Sequence, residues 1–319
     1  MNGSASNRIA TALGSLPRAD FLRDYWQQKP LLVRASLADY ESPISADELA
    51  GLACEPEIES RIIQQSANTQ HWTLEHGPFV EQRFRELPER DWTLLIQAIE
   101  LWVPEIRKLR QRFDFLPSWR FEDIMASFAM PGGSVGPHFD QYDVFLVQVE
   151  GQRLWQIGEP CEPQTAPLIN SDLKILADFA ATEQWLLNPG DVLYLPPLIS
   201  HWGLAKSPCV TFSVGFRAPS VADMLGDLAT ELLSQDHQAY YSDPPLTPEM
   251  ATEAIHPAFI TQAKALLHNA LEDDALLEDW FARYMTGPKY PGREAITGEL
   301  RQASVNGRVY RNGEPQDSS

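Results

Sequence analysis

Cysteine is scarce in these 319 residues: Cys54, Cys161 and Cys209 lie far apart, with no CxxC spacing. So sparse and odd a set excludes a disulfide framework and fits a reducing compartment. Long apolar runs are missing too. No stretch approaches the ~18 residues of a membrane helix, and Met1 to Phe21 holds no apolar run of signal-peptide length. A soluble cytoplasmic protein with no membrane partner is the expectation. Cations are in short supply, with 25 Lys and Arg against 44 Asp and Glu and a formal charge of −19. Binding nucleic acid through a general basic surface needs clustered cations, so no direct nucleic-acid partner is expected. An acidic surface can still steer in a basic protein. Internal repeats and low-complexity tracts are absent. What is present is ordinary for a globular chain: 44% apolar residues, enough for a sizeable core in two modest domains or one domain with an appendage.

Residues 18–28 read as a short amphipathic helix stopped by Lys29-Pro30, and Leu31-Leu32-Val33 as a strand. Residues 46–53 and 89–113 carry apolar side chains at helical spacing, the second run interrupted by Pro104. From about 119 to 217 the character turns to short strands between Pro/Gly turns. In 121–130, Ile124, Ala126, Phe128 and Met130 share one face, and Asp123, Met125 and Ser127 the other. Residues 142–149 are apolar almost throughout, as in a strand covered on both sides. Glu150-Gly151-Gln152 reads as a hairpin turn, with Arg153 to Ile157 returning. Residues 209–217 alternate strictly, Val210, Phe212, Val214 and Phe216 against Thr211, Ser213, Gly215 and Arg217. After 218 the pattern becomes helical at 221–232 and in two helices over 257–285, with a polar connection at 235–250. The end, 287–319, is Gly-rich and polar, with one strand candidate at Gly307 to Tyr310.

Chemistry concentrates in Gly133-Ser134-Val135-Gly136-Pro137-His138-Phe139-Asp140. Side chains two apart on a strand share a face, so His138 and Asp140 can ligate one metal. His201, in a remote segment after Pro196-Pro197, is the natural third ligand. Two histidines and a carboxylate form a facial triad that leaves three adjacent positions open, the arrangement of non-haem Fe(II) oxygen chemistry. Alone, a His-x-Asp also fits a turn histidine with an Asx-type turn. The β-rich setting, the Gly/Pro turns beside both histidines and an arginine on the adjacent strand argue for the metal. His71, His76, His237, His256 and His268 have no such setting and read as surface or structural residues.

The segments GPHFDQYDVFLVQVEGQRLW and LNPGDVLYLPPLISHWG, with FLRDYWQQKPLLVR near the start, resemble the JmjC-type 2-oxoglutarate oxygenases. Within them the chain is most similar to the bacterial ribosomal oxygenases that hydroxylate an arginine of a large-subunit ribosomal protein. The likeness covers about residues 18–290. It implies a mainly β catalytic domain, a double-stranded β-helix (cupin or JmjC barrel) with N-terminal helices, over 1–218. An α-helical dimerisation region over 219–285 and a short, partial winged-helix-like tail over 286–319 would follow. The cofactor set would be Fe(II), with 2-oxoglutarate and O2 as cosubstrates. His138, Asp140 and His201 match the family's metal ligands, and Arg153 its anchor for the distal carboxylate of 2-oxoglutarate. A guanidinium suits that task, because it offers paired donors to a carboxylate. Ser127 is the expected second donor.

Asp123, Met125, Tyr142, Ser213 and Arg217 match positions that line the family's arginine pocket; an acid and an apolar sleeve suit a guanidinium. Arg217 cannot attract an arginine itself and is expected to orient Asp123 or the peptide. Asp123 also fits a strand-start turn residue, Tyr142 barrel packing and Arg153 a surface hairpin cation; Trp155, Trp185 and Trp202 are expected in the core. The apolar stripe at 221–232 would be buried in a homodimer. The tail is too short for a whole winged-helix module, which leaves its role open. Rival readings are a sister oxygenase acting on histidine, asparagine or methylated lysine, a non-catalytic metal- or sugar-binding cupin, and a structural barrel.

Overall fold

The computed structural model describes residues 11–65, 72–162, 165, 173–234, 239–250, 252–298 and 301–316. The chain divides into two compact units, Met1–Ala218 with Gly292–Glu299, and Pro219–Pro291 with Leu300–Ser319.

In the first unit the strands are β1 (Leu31–Val33), β2 (Ser60–Gln65), β3 (Trp72–His76), β4 (Trp92–Ile96), β5 (Phe121–Ala129), β6 (Val144–Glu150), β7 (Arg153–Pro160), β8 (Ala181–Leu187), β9 (Val192–Leu195), β10 (Ile199–Ala205) and β11 (Cys209–Phe216). They form two antiparallel sheets, one ordered β1-β9-β6-β11-β5-β4-β2-β3 and the other β10-β7-β8. Short helices precede or separate them: α1 (Arg18–Asp24), α2 (Ala46–Leu52), α3 (Glu81–Arg85) and α4 (Pro104–Arg107). α2 starts at a reciprocal cap in which Ser45 and Glu48 satisfy each other's backbone N–H groups.

The large sheet is covered on both faces. Phe145, Val147, Phe212, Val214, Ile124 and Ala126 pack outward against Phe21, Ile99, Leu109 and Phe113 of the helical segments. Val144, Leu146, Leu193 and Leu195 point the other way, onto Trp155, Ile157, Leu187 and Ile199 of the small sheet. That double cover explains why β6 is apolar along its length: both sets of alternate side chains leave water. Each large side chain so buried contributes about 1.5–3 kcal/mol, an upper estimate. β5 has the two faces its alternation predicted: Ile124 and Ala126 join the helical core, and Ser127, on the face shared with Asp123 and Met125, meets Arg153 of the other sheet.

Three expectations are corrected. Residues 89–113 do not form a helix: Trp92–Ile96 is β4, buried at every position, and short 3-10 and α turns follow. A strand buried on both faces loses its period-2 signature and passes for helix. Second, Glu150-Gly151-Gln152 is not a hairpin, because β6 pairs with β9 and β11 whereas β7 pairs with β8 and β10. The turn carries the chain from one sheet to the other, with Gly151 at φ 62 supplying the left-handed residue. Third, the tail holds more structure than one strand.

The second unit contains α5 (Val221–Leu233), α6 (Pro257–Ala270) and α7 (Asp274–Thr286). After α8 (Pro291–Thr297) come β12 (Gln302–Val305), β13 (Arg308–Arg311) and β14 (Glu314–Gln316), a small antiparallel sheet. Asp279 on α7 accepts from Tyr310 and Arg308 of β13, tying that sheet to the helix. Most of α8 belongs to the first unit: the Arg293 guanidinium stacks 3.8 Å from the Trp102 ring, and Arg107 Nη1 donates to the Thr297 carbonyl. Among the described residues no helix is long and apolar enough to cross a membrane.

Candidate metal and oxoacid site

His138 leads out of the turn Gly133–Pro137, and His201 sits on β10. Their backbones are clipped together, His138 N–H to the His201 carbonyl at 3.0 Å and His201 N–H to the His138 carbonyl at 2.8 Å. A third bond runs from Leu198 N–H to the Asp140 carbonyl at 2.8 Å. Leu198 holds φ 68, costly for a leucine, and that bond helps fix it there. Two segments some sixty residues apart in sequence thus meet as one rigid corner.

The imidazoles are also oriented. His138 Nδ1 lies 2.9 Å from the Gly136 carbonyl, and His201 Nδ1 2.9 Å from the Ile199 carbonyl. A carbonyl only accepts, so both Nδ1 atoms carry the proton and both Nε2 lone pairs point away from the backbone. Gly136 reaches its carbonyl position with φ 83, which a side chain would strain. Ser134 steadies the same turn, accepting from Gly136 N–H and from Trp202 Nε1.

The ligand atoms of His138, Asp140 and His201 all lie within 4.8 Å of one another, and His201 Nε2 is 3.7 Å from Asp140 Oδ2. Bonds of about 2.0–2.2 Å to an ion would set neighbouring donors roughly 3 Å apart, so the cluster needs only a small contraction. Burial lowers the His201 pKa to about 4, with His138 pushing the same way and Asp140 partly opposing. His201 is therefore neutral at physiological pH, the form that binds a metal. These donors fit a divalent ion that takes two imidazoles and one carboxylate on a single side.

Arg153 starts β7 and is buried, 5% exposed. Its Nη2 donates to Ser127 Oγ at 3.2 Å, across the barrel. Its Nε is buried without a partner, and among the described residues no carboxylate pairs with it. A guanidinium taken out of water and left unpaired is costly. The arrangement fits a site completed by an anionic ligand. The register places that anion site and the metal corner on one inner face: Ala205 is opposite Arg153, Gly203 opposite Trp155, and His201 opposite Ile157. Between them the Trp155 ring covers Gly203, where a Cβ would come within 2.8 Å of the ring. Trp155 is core as expected, yet its buried Nε1 has no partner, a feature that sequence reasoning missed.

Of the expected substrate residues, Asp123 and Tyr142 fall near Asp140, Met125 and Ser213 lie beside Asp123 on the paired strands, and Arg217 is tied to Glu122. Asp123 is 5% exposed and accepts from Gln97 Nε2 at 2.9 Å. Met125 and Ser213 are cross-strand partners on β5 and β11. The Tyr142 ring is 41% exposed. Desolvation raises its pKa, and the nearby Asp140 and Asp123 carboxylates push the same way. Arg217 Nε donates to Glu122 Oε2 at 2.7 Å, the residue before Asp123. Sequence reasoning also missed Arg61 and Gln97, which no motif marks and which only sheet register brings here. Of the remaining histidines, His76, His256 and His268 are exposed and apart from this cluster, while His71 and His237 lie outside the described residues.

A family model described as the JmjC domain matches residues 108–224. The chain is 34% identical to the ribosomal protein uL16 3-hydroxylase of Escherichia coli, over 94% of this chain and 85% of that one. It is 38% identical to a probable ribosomal oxygenase of Haemophilus influenzae, over 68% of this chain and 53% of that one. The structure of the Escherichia coli ribosomal oxygenase YcfD with cobalt and 2-oxoglutarate matches at a TM-score of 0.80 and 32% identity, covering 95% of this chain and 86% of that one. The barrel with its two-histidine, one-carboxylate corner is that of a JmjC-type oxygenase. Within that class the chain belongs to the ribosomal oxygenase family.

Proposed function

We propose that the protein is an Fe(II)- and 2-oxoglutarate-dependent hydroxylase acting on an arginine side chain of a large-subunit ribosomal protein. The observation that carries the reading is the pairing of two unfinished sites on one inner face. One is the His138–Asp140–His201 corner with its Nε2 atoms turned inward; the other is the unpaired guanidinium of Arg153. A diacid with a metal-chelating end is the ligand chemistry that satisfies both.

His138, Asp140 and His201 would hold the iron. Arg153 and Ser127 would hold the distal carboxylate of 2-oxoglutarate. When bound, this pair supplies the oxidising chemistry: with O2, 2-oxoglutarate goes to succinate and carbon dioxide, and one oxygen atom enters a C–H bond of the substrate. The protein orients and dries the site. The backbone clip between His138 and His201 fixes the ligand directions. Val144, Leu146, Leu193 and Leu195 keep water from the barrel interior. Asp123 would accept from the substrate guanidinium, Met125, Tyr142 and Ser213 would flank it, and Arg217 would orient the rim through Glu122. A surface with net charge −19 favours a basic ribosomal protein by long-range steering.

The same reading takes α5 to α7 as a homodimerisation region. Val221, Leu225, Leu233, Ile260 and Leu267 are exposed there, which supports a second copy as their cover. The three-stranded sheet β12–β14 beside α7 supports a reduced winged-helix-like module. The deciding experiment mixes protein, Fe(II), 2-oxoglutarate and arginine-bearing peptides of large-subunit ribosomal proteins without oxygen, then admits air. Mass spectrometry should find one added oxygen atom on one arginine, lost in His138→Ala. Succinate without peptide oxidation would reject the arginine target; no succinate and no iron binding would reject the enzyme.

A further inference from the structure

β4 ends at Ile96, which pairs with Ala126, so the next residue, Gln97, falls beside Met125. Alternation turns Gln97 inward with Leu95, the partner of Ser127. Ala98 then turns the chain away at φ 50, so Gln97 is the last inward residue before that turn. Both ends of its amide are used: Oε1 accepts from Arg61 Nη2 at 3.0 Å, and Nε2 donates to Asp123 Oδ2 at 2.9 Å. The same Arg61 Nη2 lies 3.9 Å from Met125 Sδ. Arg61 has no carboxylate partner among the described residues.

A resident cation therefore lines a pocket read above as one for a substrate cation. Were Arg61 paired directly with Asp123, it would take the acceptor and repel the incoming guanidinium. Gln97 stands between them. Because Arg61 only donates, it accepts no other orientation of the amide than Oε1 toward itself. The NH2 end must then face Asp123, and its bond fixes the rotation of that carboxylate. Arg61 is held by a neutral group, and the Gln97 amide fixes the Asp123 oxygen that faces it.

We propose that Gln97, oriented by Arg61, is a positioning residue that sets the Asp123 carboxylate for a substrate guanidinium and so helps determine specificity for arginine. The inference rests on the arginine-hydroxylase reading. The test compares wild type, Gln97→Leu and Arg61→Met for KM and kcat on an arginine peptide and on the same peptide with neutral citrulline at the target. Binding of 2-oxoglutarate to the Mn(II)-loaded protein under anaerobic conditions is measured beside them. Losing one charge-assisted hydrogen bond should raise KM for the arginine peptide about tenfold in Gln97→Leu. Arg61→Met, which lets the amide turn over, should do the same to a smaller extent. The preference for arginine over citrulline should shrink in both, while kcat and 2-oxoglutarate affinity hold. An unchanged KM in Gln97→Leu with an active wild type would overturn the inference and leave the arginine reading standing. Equal loss of kcat, peptide and 2-oxoglutarate binding would make Gln97 merely structural and overturn it too. A wild type that oxidises no arginine peptide would remove both the reading and the inference.

Discussion

Asp140 and Asp143 leave the same loop, yet their carboxylates are treated differently. Asp143 is fully buried and surrounded by donors: Tyr194 Oη at 2.6 Å, Gln27 Nε2 at 3.0 Å and Arg120 Nη2 at 3.4 Å. Burial pushes its pKa up, and the bonds from Tyr194 and Gln27 hold it back. Asp140 has a 21% exposed side chain and faces two imidazoles whose Nε2 atoms no backbone group occupies. The first cluster closes on itself and ties the start of the chain to the barrel through Gln27. The second is complete only with an ion. Buried polar groups that satisfy one another stabilise a fold; those left open at a shared focus mark a site.

The largest contrast should come from replacing each of the two aspartates by a neutral residue. Asp140→Asn should abolish iron binding and turnover while leaving the urea midpoint of the metal-free protein near wild type. Asp143→Ala should do the reverse, costing about 3 kcal/mol by urea unfolding because it strands Tyr194 and Arg120, with metal affinity kept. If both variants lose metal and stability together, the distinction between the clusters fails. Next in size is Arg153→Leu. The loss of its charge-assisted bonds should weaken 2-oxoglutarate binding by about 10- to 100-fold. The metal-free protein should not be destabilised, since an unpaired buried charge is removed.

The smallest effect belongs to a pair that solvent already screens. Arg83 grips Glu75 with bonds of 2.9 and 2.6 Å, but the Glu75 side chain is 38% exposed. The Arg83 bond lowers the Glu75 pKa. Its stabilisation is therefore present above the usual glutamate pKa of about 4.3 and is lost as pH falls through the depressed folded value. Glu75→Gln should cost less than about 1 kcal/mol at pH 7, and nothing in acid below both values, as read from urea midpoints.

The same contrast shows why some of the molecule was readable in the sequence. β5 and β11 have one face on the helical core and one inside a partly polar barrel, so Asp123, Ser127 and Thr211 alternate visibly with apolar neighbours. The His138-x-Asp140 spacing and the remote His201 come from the same kind of local rule. β4, wholly buried, offered no alternation to read. The sheet change at Gly151 is a matter of pairing, which short-range turn signals do not encode. Arg61 and Gln97 lie in unremarkable segments and acquire meaning only when β2 and β4 dock beside β5. The strands of the tail are short and polar, and side chains on α7 hold the small sheet in place.

We infer that the triad and Arg153 form one composite site for a metal-bound diacid. Calorimetric titration of 2-oxoglutarate into Mn(II)-loaded wild type, Asp140→Asn and Arg153→Leu tests it directly. Binding should be tight in wild type, strongly weakened in Arg153→Leu, and absent in Asp140→Asn at every metal concentration that loads the wild type. Equal affinity in all three proteins would contradict the claim.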